Sequence, residues 1–506
     1  MSATATPADT AFRVADRLKV AGPWEVYAER SRRFEVHLNG REIEAIRGPI
    51  AIEGYGIRVV RPRGEQVGVG FQASMDLSDA GIQATLADAE QVARHSEFPA
   101  KKVDLPGRAA AGPGTLEIVD RALWSDPAKA VDGYVAELLR SFEGRKETVP
   151  SFGSVRATLS ETSIANSAGL RVQYPQTSVE FEVAVKSFGG PEGAPPGEYW
   201  VNSSGRRLEN VRLAAEVDQW CTYAQDVRRA SAPPSGELPV VLPSAVLSGI
   251  LPSVLGFRFT GAAQLRKLAP TVGDSAAAES VSIADDGRYP WSPVTGPVDS
   301  EGASRGSHPI IARGKVAGIL YDALHAGAFG RPPTASASRG VDPTGFADWR
   351  RFLFAPRVSS STLSVAPGDA GSDEELIESA GDGIWVQQLG WAIPDPFSGA
   401  FGGEIRIGYR IRNGKLADPV RGGTLGGVVL APPGQPSMLQ SIAGIGSKVT
   451  LSDTLASPTL LVRPLVVAGA GAPEPAPKAT SRKGAGAGSS GTSRTARPER
   501  SRSRSR

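Results

Sequence analysis

The fold of the N-terminal part of the chain is decided by the stretch Phe34-Glu-Val-His-Leu-Asn-Gly-Arg-Glu-Ile-Glu-Ala-Ile46. Apolar and polar residues alternate on both sides of Asn39-Gly40, as they do in a β-hairpin. Asn-Gly also favours a type I′ turn, because both residues accept the positive φ that this turn requires. The stretch therefore predicts two antiparallel strands joined at Asn39-Gly40.

A second strand pair and a helix follow this hairpin. Tyr55–Val60 and Val67–Phe71 have the composition of strands, with Pro and Gly in the turn between them. Ser78-Asp79 can cap the helix that comes next. Its apolar residues recur on one helical face, namely Ile82, Leu86, Ala89 and Ala93. We predict an N-terminal α/β sandwich domain over residues 1–115, and not a doubly wound sheet.

A middle α/β domain is predicted over residues 116–235, between two segments that are rich in Pro and Gly. Asp126-Pro127 has the pattern of a helix start, and a long second helix is expected over residues 208–230. Short strands are expected between the two helices, at residues 154–159, 170–174 and 179–185, with a turn at residues 166–169.

Residues 236–467 are predicted to form a C-terminal, mostly antiparallel β domain, because short β-like runs recur there among Gly and Pro. Two of these runs, residues 403–412 and 415–420, are joined at Asn413-Gly414. Residues 468–506 are of low complexity with no apolar periodicity, which predicts a disordered basic tail. The fold class predicted for the whole chain is α+β.

The charge of the chain is concentrated at its C-terminal end. The 506 residues carry a formal net charge of +3, with 40% hydrophobic and 22% charged residues, a normal globular mixture. From Ala468 onward there are nine Lys/Arg and two Glu, so the preceding body has 47 basic and 51 acidic residues. An acidic body argues against a basic nucleic-acid-binding fold, whereas the alternating Arg500–Arg506 predicts weak, salt-sensitive nucleic-acid contact through the tail.

The cysteine content and the N-terminal sequence indicate the cellular compartment that we expect. Cys221 alone cannot form an intramolecular disulfide, which fits a reducing environment. The N-terminus shows no basic segment followed by an apolar one. A long uncharged run, Leu238–Phe257, contains three Pro and three Ser, and is interpreted as a strand followed by a helix. We therefore predict a cytoplasmic protein with no membrane association.

Neither histidines nor glycine-rich stretches form a recognisable site. The four histidines, His37, His95, His308 and His325, are too far apart in sequence for the helical spacing of a zinc motif. The glycines of residues 54–56 and 68–70 lie within predicted strands, so they do not form a dinucleotide-binding fingerprint. Residues 444–448 lack the full spacing of a phosphate-binding loop. Turns and bulges are the interpretation for all three stretches.

Several short segments occur in an order that resembles the TldD/PmbA (TldE) family of metallopeptidases, also called modulators of DNA gyrase. The resemblance runs from about Glu25 to Ala468. The segments that carry it are residues 54–60, 69–76, 314–322, 333–336, 365–369, 374–377, 381–384, 396–399 and 419–422. Each one is short, and their common order makes the resemblance specific.

The resemblance implies two branches, of which the TldD type carries H-E-x-x-x-H on a helix after a strand reading V-V-L. In that type the two His bind a metal and the Glu is the general base. Here the strand is Pro239-Val-Val-Leu242, and the motif register falls on Pro252-Ser253-Val254-Leu255-Gly256-Phe257. Pro252 and Phe257 stand at the His positions and Ser253 at the Glu position. Pro and Phe cannot ligate a metal, and a Ser hydroxyl without an activating neighbour is a poor base.

The resemblance also implies a later Cys ligand in TldD-type chains, and its place is empty here. Residues 445–451 run directly to residues 455–460, without the turn that would contain this Cys. All motif residues are thus missing together, as in the PmbA/TldE branch. We accordingly predict no catalytic, cofactor-binding or metal-ligating residue in this chain, and Pro252, Ser253 and Phe257 are degenerate motif positions.

On this resemblance, the chain is expected to be an accessory subunit that is inactive alone. Its partner would be a TldD-type protease subunit in a heterodimer, with the metal, zinc, held by that partner. The substrate would be a peptide or an unfolded polypeptide bound as an extended strand. Two alternatives stay open: a stand-alone peptide-binding module, and a DNA gyrase-associated regulator without protease activity.

Overall fold

The computed structural model describes residues 9–107, 116–189, 195–340, 348–390, 392–432 and 434–469. Within these ranges the chain contains helices and several β-sheets, which confirms the predicted α+β class. The predicted disordered tail, from residue 470 onward, lies outside the described residues.

The first six strands form one antiparallel sheet in the order β3-β2-β1-β4-β5-β6. Their bounds are β1 Trp24–Asn39, β2 Glu42–Arg63, β3 Gln66–Ser74, β4 Thr148–Asn166, β5 Arg171–Ser187 and β6 Gly197–Gly205. Strand β1 pairs with β4 from Glu25 opposite Asn166 to Asn39 opposite Phe152. The sheet therefore continues from the first predicted domain into the middle one.

The first hairpin forms as predicted, but its turn is shifted by one residue. Asn39 is still in β1 and pairs with Glu42, so the two loop residues are Gly40 and Arg41. Gly40 has φ +61°, and Asn39 is not among the residues with positive φ. A loop with Gly at its first central position matches the type II′ turn, the other turn that suits the twist of a hairpin.

The three short strands predicted at residues 154–159, 170–174 and 179–185 belong to two long strands, β4 and β5. They are joined at the predicted turn, where Gly169 has φ +85°. Most residues of β4 are buried, whichever face of the sheet they occupy. Because both faces are covered, the apolar alternation on which the prediction relied is broken by buried polar residues such as Ser160 and Thr162.

Helices cover one face of this sheet. Their bounds are α1 Thr10–Ala15, α2 Asp79–His95, α3 Arg121–Ser125, α4 Pro127–Arg140 and α5 Leu213–Arg229. Ser78 caps α2 by accepting a hydrogen bond from the Gly81 N–H, and Asp126 caps α4 through the Lys129 N–H, as the sequence predicts. The four apolar residues that predicted α2 are buried. The predicted 208–230 helix begins later, after a short 3₁₀ turn at Leu208–Asn210.

A short 3₁₀ segment, Arg351–Leu353, lies across the opposite face of the sheet. Phe352 is fully buried there, against Gly54 of β2. A Cβ added to Gly54 would lie 2.2 Å from the Phe352 ring, so only glycine admits this ring. The glycines of residues 54–56 thus allow close packing within a strand.

In the C-terminal part, the described residues form two larger sheets and one two-stranded sheet. The first has the order β14-β7-β21-β17-β15-β16, with β18 paired to β21, and the second β10-β9-β8-β13-β20-β19. The two-stranded sheet is β11-β12. The bounds are β7 Gly236–Leu242, β8 Ile283–Asp286, β9 Ser307–Ala312, β10 Lys315–Val316, β11 Ala337–Ser338, β12 Arg357–Val358, β13 Thr362–Val365, β14 Gly383–Gly390, β15 Ala400–Arg412, β16 Lys415–Val420, β17 Thr424–Val428, β18 Ile442–Ile445, β19 Thr450–Ser452, β20 Leu455–Ser457 and β21 Leu460–Ala468.

Most of these pairings are antiparallel, as predicted, while β7–β14 and β13–β20 are parallel. Strand β14 also pairs with β15, which closes the path β14-β7-β21-β17-β15 into a ring of five strands. Asn413 and Gly414 have φ +50° and +71°, which confirms the turn predicted between β15 and β16.

Short helices accompany the C-terminal sheets. They are α6 Ser244–Leu247, α7 Leu251–Arg258, α8 Gly261–Leu265, α9 Ala323–Phe329 and α10 Asp373–Ala380. The uncharged run Leu238–Phe257 forms β7 followed by α6 and α7, as predicted. Among the described residues, no helix has both the length and the apolar character needed to cross a bilayer.

Candidate functional site

The degenerate motif positions lie on α7, which follows the central strand β7 after the short helix α6. Val240–Leu242 is fully buried between β14 and β21, so β7 fixes where the following helices begin. Pro252 is the second residue of α7. Proline is accepted in the first turn of a helix because the N–H groups there have no helical partner. Pro252 therefore marks the start of α7 and does not interrupt it.

The three degenerate positions share the half-buried side of α7. Leu251, Val254 and Leu255 point into the core and are fully buried. In contrast, the residues on the other side of the helix are partly exposed, namely Pro252, Ser253, Gly256 and Phe257. The helix thus presents the register positions toward the surface, where they face other segments of the C-terminal part.

Phe257 makes an aromatic contact at the position of the second His. Its ring centroid lies 5.1 Å from that of Phe397, and the Arg266 guanidinium carbon lies 6.0 Å from the Phe257 centroid. Gly256 faces Ser360, and a Cβ at Gly256 would lie 2.6 Å from the Ser360 hydroxyl. These contacts are apolar or weakly polar, so none of them supplies a ligand for a metal.

Arg258 holds the Phe397 segment against α7. Its guanidinium donates hydrogen bonds to the carbonyl oxygens of Leu268 and Phe397. Burial lowers the pKa of Arg258 from its usual value. Phe397 belongs to a turn in which the Asp395 carboxylate accepts a hydrogen bond from the Phe397 N–H at 2.9 Å. The aromatic pair is therefore positioned by backbone contacts on both sides.

The hairpin that would contain the Cys ligand lies beside α6. The Ser244 hydroxyl of α6 donates a 2.8 Å hydrogen bond to the Thr450 carbonyl of β19. Strands β19 and β20 are joined by only two residues, Asp453-Thr454, with Asp453 at φ +50°. The Asp453 carboxylate accepts hydrogen bonds from the N–H and the hydroxyl of Ser204 at 2.8 Å each. This tight turn contains a structural Asp where a Cys-bearing insertion would begin.

The four histidines lie on four different elements, β1, α2, β9 and α9, in the part of the chain that the structure describes. His325 is partnered, with Nδ1 2.6 Å from the Asp322 carboxylate, and His37 Nε2 lies 3.2 Å from Glu35. Over the described residues, no group of three or more His, Cys, Asp or Glu side chains is arranged to hold a metal ion. Cys221 is buried on α5.

Sequence reasoning located α7 but did not find the residues that contact it. Ser360, Arg266 and Phe397 come from three separate segments. One signal was available, because Asp395-Pro-Phe-Ser-Gly399 has the composition of a turn that exposes its central aromatic residue. Phe397 is 52% exposed even though it packs on Phe257.

Models of one family match three consecutive regions of the chain. The PmbA/TldA metallopeptidase domain 1 model matches residues 24–93, the central domain model residues 117–229 and the C-terminal domain model residues 235–469. Together they cover most of the described residues, in the order of the family. The chain belongs to the PmbA/TldD metallopeptidase family.

Individual relatives are similar over part of their length. A protein called metalloprotease from Methanothermobacter thermautotrophicus is 25% identical over 44% of this chain and 46% of its own length. One from Archaeoglobus fulgidus is 29% identical over 40% and 45%, and a metalloprotease TldD homolog from Haemophilus influenzae is 25% identical over 39% of each chain. The chain thus spans less than half the length of these curated relatives.

Two crystal structures share the fold of this chain. TldE from Thermococcus kodakarensis has a TM-score of 0.73 at 18% identity, covering 91% of this chain and 99% of its own. A Thermotoga maritima protein, described as a candidate modulator of a DNA gyrase, has a TM-score of 0.72 at 18% identity, covering 88% and 96%. At this level of identity the similarity concerns the fold.

Proposed function

We propose that this chain is the non-metal-binding, TldE/PmbA-like subunit of a heterodimeric metallopeptidase. A TldD-type partner would hold the metal, zinc, and carry out hydrolysis of peptides or unfolded polypeptides in the cytoplasm. This chain would be inactive by itself and would complete the substrate-binding enclosure of the pair.

The side chains on the exposed side of α7 carry this proposal. Hydrolysis of a peptide near neutral pH needs an activated water, which a metal and a general base supply together. The side chains of Pro252 and Phe257 have no atom that can bind a metal. Within the described ranges, Ser253 forms no hydrogen bond with a His, Asp or Glu side chain. Phe257 instead packs on Phe397. A helix with this surface suits contact with a partner or a substrate better than it suits water activation.

The substrate class follows from the family to which the chain belongs. Peptides can be held without sequence selectivity when their main chain pairs with the edge of a sheet, because every residue offers the same N–H and C=O groups. The chain has long strands for such pairing, of which β2 extends over 22 residues. Strand β3 pairs with β2 only from Tyr55 to Arg63, which leaves the earlier part of β2 at the sheet edge.

The test is reconstitution of peptidase activity from separate subunits. The purified chain, alone and with added Zn²⁺, is incubated with an unstructured casein fragment, and then with a TldD-type chain from the same genome. We expect no turnover by the chain alone and turnover by the mixture. The activity of the mixture should be lost with a chelator or when the partner's H-E-x-x-x-H is changed.

Two outcomes would contradict the proposal. Chelator-sensitive cleavage by the chain alone would mean that it has its own metal site. Failure of the two chains to form a complex in size-exclusion chromatography, together with peptide binding by this chain alone, would favour the stand-alone peptide-binding module.

A further inference from the structure

A cleft of about 620 Å³ lies beside α8 and is separate in its lining from the α7 positions described above. This volume is within the range of about 300–1,000 Å³ that is common for small-ligand sites. Polar side chains of Gln264, Lys267 and Arg331 line it, together with Tyr321 and the apolar residues Val272 and Ile319.

The cleft has two cations and no acidic residue in its lining. Lys267 and Arg331 are both exposed at its surface. Within the described ranges, neither side chain has an Asp or Glu partner at ion-pair distance. Two unpaired cations at one cleft are complementary to an anionic group, because a carboxylate accepts charge-assisted hydrogen bonds from both.

Lys267 occupies a backbone position that favours glycine. It follows the end of α8 with φ +59°. The Lys267 N–H donates to the Gln264 carbonyl at 3.0 Å and the Leu268 N–H to the Ala263 carbonyl at 2.9 Å. This is the Schellman pattern, in which glycine is usual because a Cβ is strained at positive φ. A lysine here is less stable than glycine, which points to a use for its side chain.

The remaining polar groups of the cleft are arranged as donors. The Tyr321 hydroxyl donates to Gln264 Oε1 at 2.7 Å, which leaves the Gln264 amide N–H groups for another acceptor. Burial raises the pKa of Tyr321, with Arg331 opposing the shift, so Tyr321 is a neutral phenol near pH 7. A ligand that fits must therefore present a carboxylate, a second acceptor near it, and an apolar body for Val272 and Ile319.

We propose that this cleft binds the C-terminal carboxylate of a short apolar peptide. Lys267 and Arg331 hold the carboxylate, Gln264 donates to a backbone carbonyl of the peptide, and Val272 and Ile319 contact its apolar side chains. A fatty acid lacks the carbonyl that Gln264 would contact, and inorganic phosphate lacks the apolar body. The assignment does not rest on the proposed subunit role, since the cleft is built from this chain alone.

Calorimetric titration of the full-length protein tests the proposal, with N-acetyl-Leu-Val-Leu as the probe and its C-terminal amide as the matched ligand. We expect saturable binding of the free acid and binding of the amide that is weaker by about tenfold or more, since a charge-assisted contact is lost. Lys267→Gly and Arg331→Gln should each weaken binding of the acid by about tenfold. Lys267→Gly should not lower the unfolding midpoint, because glycine is preferred at that position.

Lys415→Gln is the control variant, because it removes one positive charge from an exposed residue of β16 that does not line the cleft. It should leave the affinity unchanged. Equal affinity for acid and amide, or no binding of the acid by the unchanged protein, would overturn the proposal. So would an equal loss in the Lys415→Gln variant, which would indicate a non-specific charge effect. Competition by phosphate or decanoate at the affinity of the peptide would overturn the peptide assignment.

Discussion

The guanidinium of Arg58 lies 2.7 Å from the carboxyl group of Glu301, and both side chains are only 1% exposed. Arg58 belongs to β2 of the N-terminal sheet, whereas Glu301 lies between β8 and β9 of the C-terminal part. Glu25 also pairs with Arg58, at 2.7 Å, and with Arg339. A buried network of ionisable groups thus links the N-terminal sheet to the C-terminal part.

This network contains more carboxyl groups than guanidinium groups. Burial is the largest cause of a raised pKa of Glu301, which is about 8. Arg58 lowers this pKa, whereas the buried carboxyl groups of Asp322, Asp299 and Glu25 raise it further. Like charges in a buried site disfavour the ionised form, so Glu301 keeps its proton at neutral pH in the folded protein.

The first prediction is that stability falls as the pH rises from about 5 to about 8. In this window the folded state keeps the Glu301 proton while the unfolded state releases it, since an unperturbed Glu has a pKa near 4.3. Each such proton lowers the free energy of unfolding by up to about 1.4 kcal/mol per pH unit. Urea unfolding at several pH values should give a shallower slope for Glu301→Gln than for the unchanged protein. Equal slopes would show that Glu301 is ionised in the fold.

The second prediction is that Glu25→Gln is strongly destabilising. It leaves Arg58 and Arg339 buried without their shared carboxylate, and breaking a buried pair costs about 3–5 kcal/mol. Glu279→Gln is the control, because Glu279 pairs with Arg313 at the exposed surface. Such pairs contribute about 0–1 kcal/mol. Chemical denaturation measures both, and similar losses for the two variants would contradict a structural role for the network.

The third prediction concerns the contact between Gly54 and Phe352. Phe352→Ala should cost about 3–5 kcal/mol by leaving a cavity, and Gly54→Ala about 1–3 kcal/mol by overpacking. The double variant should be less destabilised than the sum, because the smaller side chain at 352 makes room for the new methyl group. Gly402→Ala, where nothing lies within 4 Å of the added Cβ, is the control. Additive losses in thermal unfolding would show that the two residues are independent.

The fourth prediction is that substituting the three degenerate positions of α7 does not create a metal-dependent peptidase. Protein purified without chelators should contain no stoichiometric zinc or iron by elemental analysis. The triple variant Pro252→His, Ser253→Glu, Phe257→His should still not cleave an unstructured peptide, because the Asp453-Thr454 turn contains no Cys and the Asp453 carboxylate is already engaged by Ser204. Tightly held zinc in the unchanged protein, or turnover by the triple variant, would contradict this.

Features that depend on neighbours in the chain were predicted well. Ser78 and Asp126 cap their helices, and Asn413-Gly414 forms its turn, because capping and turn formation involve residues only a few positions apart. The turn at Gly40 was misplaced by one residue, since Asn39-Gly40 suits a type I′ turn, Gly40-Arg41 suits a type II′ turn, and the strand pairing selects between them.

The helix α7 was expected from the sequence, whereas its surroundings were not. That Pro252, Ser253 and Phe257 are degenerate motif positions stays a prediction. The contacts of Gly256 with Ser360 and of Phe257 with Phe397 join segments about 100 to 140 residues apart, and sequence periodicity contains no information about such contacts.

The sequence by itself determined the class of fold, most of the local elements and the family, because these follow from residue types and their short-range order. Only the tertiary structure decided that strands β1 to β6 form one continuous sheet, that Arg58 contacts Glu301, and that Lys267 and Arg331 line the same cleft. Each of these brings together residues that are distant in the chain. Their positions result from burying apolar faces against one another, and this packing is a property of the whole folded chain.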